Sequence, residues 1–278
     1  MLPLKDNIPT VRFPIVTVLL IAVNIAVFGW QLTLSSNPAS NPDRTFRAAG
    51  VSQQDEAILQ YGAIPYRLTH PGKQCGVTGS HGNGQIACQG NRGFNAASSS
   101  GRIALLDTIP WWLTILTSMF LHGGWLHIAG NMLFLWIFGN NVEDSMGRGR
   151  YLLFYLLGGL IAAYSQAAIH PTETGPQIGA SGAIAGVLGG YIVLHPRARV
   201  LTLIFLFLFV TLIEIPAVIM LGIWFALQAL PAVGQLATPD VASGGGVAYL
   251  AHVGGFIFGL LAIKPFVGWA RSRRPAVA

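Results

Sequence analysis

Charge is what this chain has least of. Only 9% of its 278 residues are Asp, Glu, Lys or Arg, where a soluble domain carries roughly 25%. Hydrophobic residues make up 53% and the mean hydropathy is +0.57. That excludes a water-soluble single-core domain and points to a helical protein that crosses the bilayer several times. Basic residues exceed acidic ones by 6, yet they form no single patch. They sit at the ends of apolar runs, as topology signals do, so nucleic acid is excluded as a partner and the lipid bilayer is implied. His-Glu-x-x-His is absent, which disfavours a zinc protease. No Gly-Asp pair occurs, which disfavours an intramembrane aspartyl protease. No A-x-A-like site follows the first apolar run, so that run reads as a signal anchor. Neither a metal nor another cofactor is expected.

A span needs about 20 apolar residues. Six stretches qualify: Phe13–Leu34, Trp111–Asn140, Tyr151–Ile169, Gly179–Leu194, a segment within Val200–Leu230, and Ala248–Val267. The expected fold is an all-α polytopic bundle of six transmembrane helices over residues 13–267, with 35–109 as a long first extracytoplasmic loop. Residues 1–12 are expected as a cytoplasmic N-terminus and 268–278 as a basic cytoplasmic tail. The second stretch is long for one span. In the fifth, Glu214 and Pro216 place the helix mostly after Pro216, with Leu201–Phe209 as its lead-in and Glu214 at an interfacial bend.

Charge sets the orientation. Ten basic residues fall on one side: Lys5, Arg12, Arg148, Arg150, Arg197, Arg199, Lys264, Arg271, Arg273 and Arg274. The other side holds Arg44, Arg47, Arg67, Lys73, Arg92 and Arg102, all in the long loop, which counts little. The loops near Pro171 and Pro239 hold none. Both termini are therefore expected in the cytoplasm, and Ser181 and His252 both face the extracytoplasmic half.

The only two cysteines, Cys75 and Cys88, lie in the outer loop. An even pair in an oxidising compartment makes them a candidate disulfide. The alternatives are two free thiols in a mobile loop, or a metal site with His70 and His81 nearby, although that spacing matches no standard zinc pattern.

Ser181 and His252 open two apolar helices. Taken singly, each reads as structural: the serine as a packing residue bonded to a carbonyl one turn back, the histidine as a neutral buried ring. Their surroundings shift that reading. Gly179 and Gly182 allow a tight entry and close backbone approach. Gly182, Gly186 and Gly190 form a small-residue stripe, and Gly255 and Gly259 continue the face of His252. If the two faces pack together, Ser181 and His252 meet at the outer end as a nucleophile and its general base. His127 and Asn131, at i and i+4, present an imidazole and a carboxamide on one face, the donors that an acyl-transfer oxyanion needs. A structural polar network is the plainer alternative. Glu143, Asp144, Arg148 and Arg150 read mostly as a solvated inner turn.

These residues together resemble the rhomboid intramembrane serine proteases of bacterial type. The resemblance is carried by Gly179-Ala-Ser-Gly182, by His252-Val-Gly-Gly255, by His122/His127/Asn131, and by Glu143 before Gly147-Arg-Gly-Arg150. Pro9-Thr-Val-Arg-Phe-Pro14 and Tyr61-Gly-Ala-Ile-Pro65 also contribute. It runs from Leu4 to Phe266 and is thinnest across Pro71–Ser100. It implies Ser181 as nucleophile and His252 as base, with no carboxylate. It implies an oxyanion hole of His127, Asn131 and the Ser181 backbone N–H, supported by His122, and Glu143 as a structural residue. It further implies a cavity open to the outside, gated by the fifth helix and the loop before His252. The implied partners are membrane proteins with a transmembrane helix, cut near its extracytoplasmic end, and the implied location is a bacterial inner membrane. One position departs: many members carry an aromatic residue one turn after the serine, stacked on the histidine, and here it is Ala185. The competing functions are a catalytically weak or inactive rhomboid-like binder of membrane proteins, which would ordinarily lack the serine or the histidine, and a transporter with a polar midplane site, which would show internal repeats that this sequence lacks.

Overall fold

The computed structural model describes residues 2–90, 92–99, 102–206, 209–237 and 247–271. The chain is mostly helical. A short strand β1 (Leu2–Asp6) precedes α1 (Ile15–Thr33), then α2 (Arg44–Ala49), α3 (Gln53–Tyr61) and α4 (Pro65–Thr69). Strands β2 (Cys75–Thr78) and β3 (Gln85–Cys88), helix α5 (Arg92–Ser99), strand β4 (Ile103–Leu105) and helix α6 (Leu113–Ser118) follow. The second half comprises α7 (Trp125–Phe134), a π-helical turn (Leu135–Gly139), α8 (Asn140–Met146), α9 (Arg148–Ile169), α10 (Ser181–Leu194), β5 (Arg199–Leu206), β6 (Phe209–Pro216), α11 (Ala217–Ala237) and α12 (Tyr249–Arg271).

Among the described residues, four helices are long and apolar enough to cross a membrane: α1, α9, α11 and α12. This is a multi-pass membrane protein. Two of the expected spans are built differently. The stretch Trp111–Asn140 is broken: α6 stops at Ser118, and a new helix starts at Trp125 and continues through the π-helical turn to Met146 without leaving helical backbone angles. Two adjacent glycines, Gly123 and Gly124, sit at that break and account for it. The other is α10, only 14 residues long, whose residues Ala183 to Tyr191 are all buried. It is the central helix, and its glycines explain why. A Cβ on Gly255 would overlap the Gly182 carbonyl oxygen, and one on Gly259 would overlap that of Gly186. A Cβ on Gly190 would come within 2.8 Å of Ile263. Helices α10 and α12 are therefore packed backbone to backbone.

The all-α expectation needs correction at both ends of the bundle. Residues 35–109 are a folded unit around Phe46, Ile64, Tyr66, Val77 and Leu106, with a sheet of order β3-β2-β4. Cys75 and Cys88 face each other across β2 and β3 and are joined in a disulfide. Among the described residues no cluster of metal-binding side chains occurs. At the other end, Leu201–Phe209 is no helical lead-in. Its described residues belong to β5 (to Leu206) and to the start of β6 (Phe209), in a sheet of order β1-β5-β6. The run Val200–Ile215 is almost wholly apolar, so it has no period to separate helix from strand. Its β-branched residues, Val200, Thr202, Ile204, Thr211, Ile213 and Ile215, favour the strand. Glu214 lies opposite Leu201 in this ladder rather than at a bend. Pro216 ends β6 directly before α11. The expected N-terminal tail contributes β1 to the same sheet. Residues 207–208, Pro239 with its neighbours, and Arg273 and Arg274 lie outside the described residues.

The end of the bundle that carries β1 is fastened by carboxylates. Glu143, only 3% exposed, accepts from the backbone N–H groups of Val16 and Thr17 at 3.0 and 2.8 Å and from the Thr17 hydroxyl at 2.8 Å. It thereby caps α1, whose own N-cap residue, Pro14, supplies no side-chain bond. This is no solvated turn residue. Asp144 accepts from Val11 N–H at 3.0 Å. Asp6 of β1 is also buried and accepts from the Tyr191 hydroxyl at 2.6 Å and from Asn141 Nδ2 at 2.5 Å. Burial is the largest influence on its carboxyl and raises its pKa above 3.8, outweighing the Tyr191 hydrogen bond that lowers it.

Candidate active site

Helices α7, α10, α11 and α12 enclose a cavity of about 760 Å³. Ser181 is the first residue of α10, and the turn before it depends on Gly179. That glycine has φ +113°, and a Cβ there would lie 2.6 Å from His127 Nε2 and 3.6 Å from Asn131 Nδ2. Its N–H donates to the Ser118 carbonyl at 2.8 Å. The chain thus enters α10 pressed against α7, as only glycine permits. The helix start also leaves free N–H groups near Ser181 Oγ.

His252 lies in the first turn of α12, across the glycine seam. Its Nε2 is 2.7 Å from Ser181 Oγ. Its Nδ1 is 2.8 Å from the side-chain oxygen of Gln228 on α11. The Trp224 ring, one turn earlier on α11, is 6.1 Å from the imidazole and tilted by 37°. Ala185 is buried in α10.

His127 and Asn131 line the same cavity from α7. His122 stands behind them, 2% exposed. Its Nδ1 faces the Phe120 carbonyl at 3.3 Å and its Nε2 faces Asn131 Nδ2 at 2.9 Å. Nδ1 therefore donates and Nε2 accepts, which uses one amide hydrogen of Asn131 and leaves the other free. Gly123 N–H donates to His127 Nδ1 at 3.3 Å, so the proton of neutral His127 sits on Nε2, the nitrogen nearest Gly179. Gln31 of α1 holds His122 from both sides: its oxygen accepts from His122 N–H at 3.0 Å, and its Nε2 donates to the His122 carbonyl at 3.1 Å.

The loop before Ser181 is tied to the unit that precedes α6. Ala63 and Gln177 exchange backbone hydrogen bonds at 3.1 and 2.8 Å, and Tyr66 N–H donates to the Glu173 carbonyl at 2.9 Å. Gln177, Ile178 and Ile58 all line the cavity.

The structure therefore brings together Ser181, His252, His127, Asn131, Gly179 and Gly182, with His122 directly behind. Gly186, Gly255 and Gly259 lie in the α10–α12 seam below. Glu143 is at the opposite end of the bundle, and Cys75 and Cys88 join β2 to β3 and do not line the cavity. Sequence reasoning missed Gln228, Trp224 and Gln31. A weak signal existed for each: Trp224 and Gln228 are i and i+4 on one helix face, and Gln31 and Gln228 are amides inside apolar runs.

A polytopic bundle whose central helix opens on a half-buried serine–histidine contact is a narrow class. Residues 110–269 match the Rhomboid domain. The chain is similar to Rhomboid protein 1, mitochondrial, of Saccharomyces cerevisiae, with 30% identity over 171 residues, 60% of this chain and 44% of that protein. It is 36% identical to Rhomboid protease GluP of Bacillus subtilis over 135 residues, 48% of this chain and 25% of that one. With the human Presenilin-associated rhomboid-like protein, mitochondrial, it shares 30% identity over 149 residues, 52% of this chain and 36% of the other. The chain thus matches less than half the length of each of these relatives. It belongs to the rhomboid family.

Proposed function

We propose that this protein is an intramembrane serine endopeptidase with a Ser181–His252 dyad. The observation that carries the reading is the 2.7 Å contact between His252 Nε2 and Ser181 Oγ, made in a cavity shared with His127 and Asn131.

In the proposed reaction His252 Nε2 takes the Ser181 hydroxyl proton as Oγ attacks the peptide carbonyl carbon. The carbonyl oxygen becomes an oxyanion. The free amide hydrogen of Asn131, His127 Nε2–H and the Ser181 backbone N–H serve as its donors. The His252 imidazolium then gives its proton to the leaving amine and the C–N bond breaks. Water, deprotonated by His252, attacks the acyl-serine, and Oγ recovers the proton as it leaves. His122 supports the oxyanion hole by fixing Asn131. No metal or cofactor enters the scheme.

The proposed topology has six spans: α1, the rod Trp125–Met146, α9, α10, α11 and α12. Residues 13–267 form the membrane domain, and residues 35–109 and the cavity mouth face the extracytoplasmic side. The short N-terminus and the basic C-terminal segment face the cytoplasm, and the membrane is a bacterial inner one. The basic side chains at the inner turns support this orientation. Substrates would be membrane proteins whose helix enters sideways, with α11 as the gate. Such a helix must unwind, which exposes backbone groups that lipid cannot satisfy. Cleavage at Gly, Ala or Ser near the outer end of the span is therefore favoured.

The test is labelling of purified protein by a fluorophosphonate probe, wild type beside Ser181→Ala and His252→Ala. Strong labelling of the wild type alone is expected. Equal labelling of all three would refute the dyad.

A further inference from the structure

We infer that Gln228 is the positioning residue of the dyad: its side-chain oxygen holds His252 in the tautomer and orientation that let it take the Ser181 proton. The inference rests on the protease reading above.

For His252 to act as base toward Ser181, Nε2 must be bare, so the proton of the neutral ring must sit on Nδ1. Nδ1 is 2.8 Å from Gln228 Oε1. A carbonyl oxygen can only accept, so it selects the Nδ1–H form. Turned over, the amide would present N–H to Nδ1 and force the proton onto Nε2, leaving the Ser181 hydroxyl no acceptor. Two contacts on opposite ring nitrogens, 2.7 Å to Ser181 and 2.8 Å to Gln228, define both the ring plane and its tilt. Ala185 cannot do this, since it has no ring to stack. Trp224, 6.1 Å away and tilted, limits the ring's travel without choosing its tautomer.

An amide also suits the place. A carboxylate at this depth would carry a heavy desolvation cost whenever the histidine is neutral. A glutamine orients the ring at no such cost, and in exchange gives the imidazolium weaker support during the reaction.

Gln228 sits on α11, not on α10 or α12, which carry the dyad. Helix α11 is also a wall of the cavity, facing α7 through Trp224 and Phe134, whose rings are 6.4 Å apart. The orientation of the base is therefore tied to the position of that wall.

The experiment measures cleavage of a fluorogenic transmembrane peptide by full-length protein in detergent, across pH, for wild type, Gln228→Leu, Gln228→Glu and Ser181→Ala. Gln228→Leu is expected to lower kcat roughly 3–10-fold, the share of one hydrogen bond, with KM unchanged. Gln228→Glu keeps an acceptor at Nδ1, so its kcat is expected to lie above that of the leucine variant, and the acidic limb of kcat/KM to move to higher pH, because a carboxylate favours the imidazolium. A glutamine that only packs, with its side chain turned away from Nδ1, would move neither the limb nor the kcat-to-KM split. Should the leucine variant fail to fold, the pH limb of the glutamate variant decides. Cleavage abolished by Ser181→Ala, but with an unshifted limb in Gln228→Glu and a kcat within two-fold in Gln228→Leu, would overturn this inference alone. Cleavage that survives Ser181→Ala would overturn the dyad beneath it.

Discussion

Replacing Gly255 with alanine would place a methyl group where the Gly182 carbonyl oxygen already sits. The added Cβ would fall well inside 3.0 Å of that oxygen, a separation that real Cβ atoms essentially never show. The obstacle is backbone, so no rotamer relieves it, and α10 and α12 must part by something on the order of 1 Å. Overpacking of this kind costs about 1–3 kcal/mol of stability. The chemistry should suffer more. Gly182 follows Ser181 directly and Gly255 lies one turn beyond His252, so the parting falls on the 2.7 Å contact between them. A displacement of about 1 Å at a reacting pair costs on the order of 100-fold in rate. Gly222 on α11 is the control: a Cβ there meets nothing within 4 Å, and alanine improves helix propensity. The assay is the second-order rate of fluorophosphonate labelling, alongside thermal unfolding in the same detergent. Gly255→Ala should label slowly and unfold at lower temperature, while Gly222→Ala should label at the wild-type rate and unfold at no lower temperature. If Gly255→Ala labels at the wild-type rate and unfolds at the wild-type temperature, backbone contact in this seam does not set the site.

Asn131→Ala should leave the unfolding temperature close to wild type and reduce kcat by roughly 10²–10³, as expected for one oxyanion donor; steady-state kinetics on the peptide substrate checks this. Glu143→Ala strands three donors on α1 and should lower stability by roughly 1.5–3 kcal/mol. In this variant the probe should still label Ser181 when measured well below the unfolding temperature. Asp6 gives a pH signature. Its folded-state pKa is raised above 3.8 by burial, so the native state holds the proton more tightly than the unfolded chain does. Its contribution is full below that value and is lost as pH rises through the raised one. Asp6→Asn should flatten this dependence of unfolding on pH across the acidic range; an unchanged slope would rule Asp6 out as its source.

What could be read from the sequence divides along physical lines. The long helices were legible because twenty apolar residues in a row have few other uses. The α10–α12 contact was legible from its glycines, since Gly182, Gly186, Gly255 and Gly259 mark where side chains must be absent. The hairpin β5–β6 was not, because a uniformly apolar run carries no period and length alone favoured a helix. The folding of residues 35–109 was hidden by local composition. Gly, Ser and Asn around Gly76–Ser100 look like open loop, and the strands there are held by pairing between distant segments and by the Cys75–Cys88 link. Gln228 carried only a weak signal, for another reason. One amide in an apolar helix has many uses, and only the position of α11 against α12 selects His252 as its partner.

The π-helical turn at Leu135–Gly139 sets the phase of the rod Trp125–Met146. Above it, His127 and Asn131 point into the cavity. Below it, Glu143 points at the start of α1. Each residue of an α-helix advances the face by about 100°, and a π turn holds one residue more than the α turn it replaces. Removing a single residue there would rotate the two halves against each other by about that angle. The donors and the anchor could not then both face their partners. In a loop, losing one residue is a small change in length. In this rod it would force a choice between a fastened bundle and an aimed site.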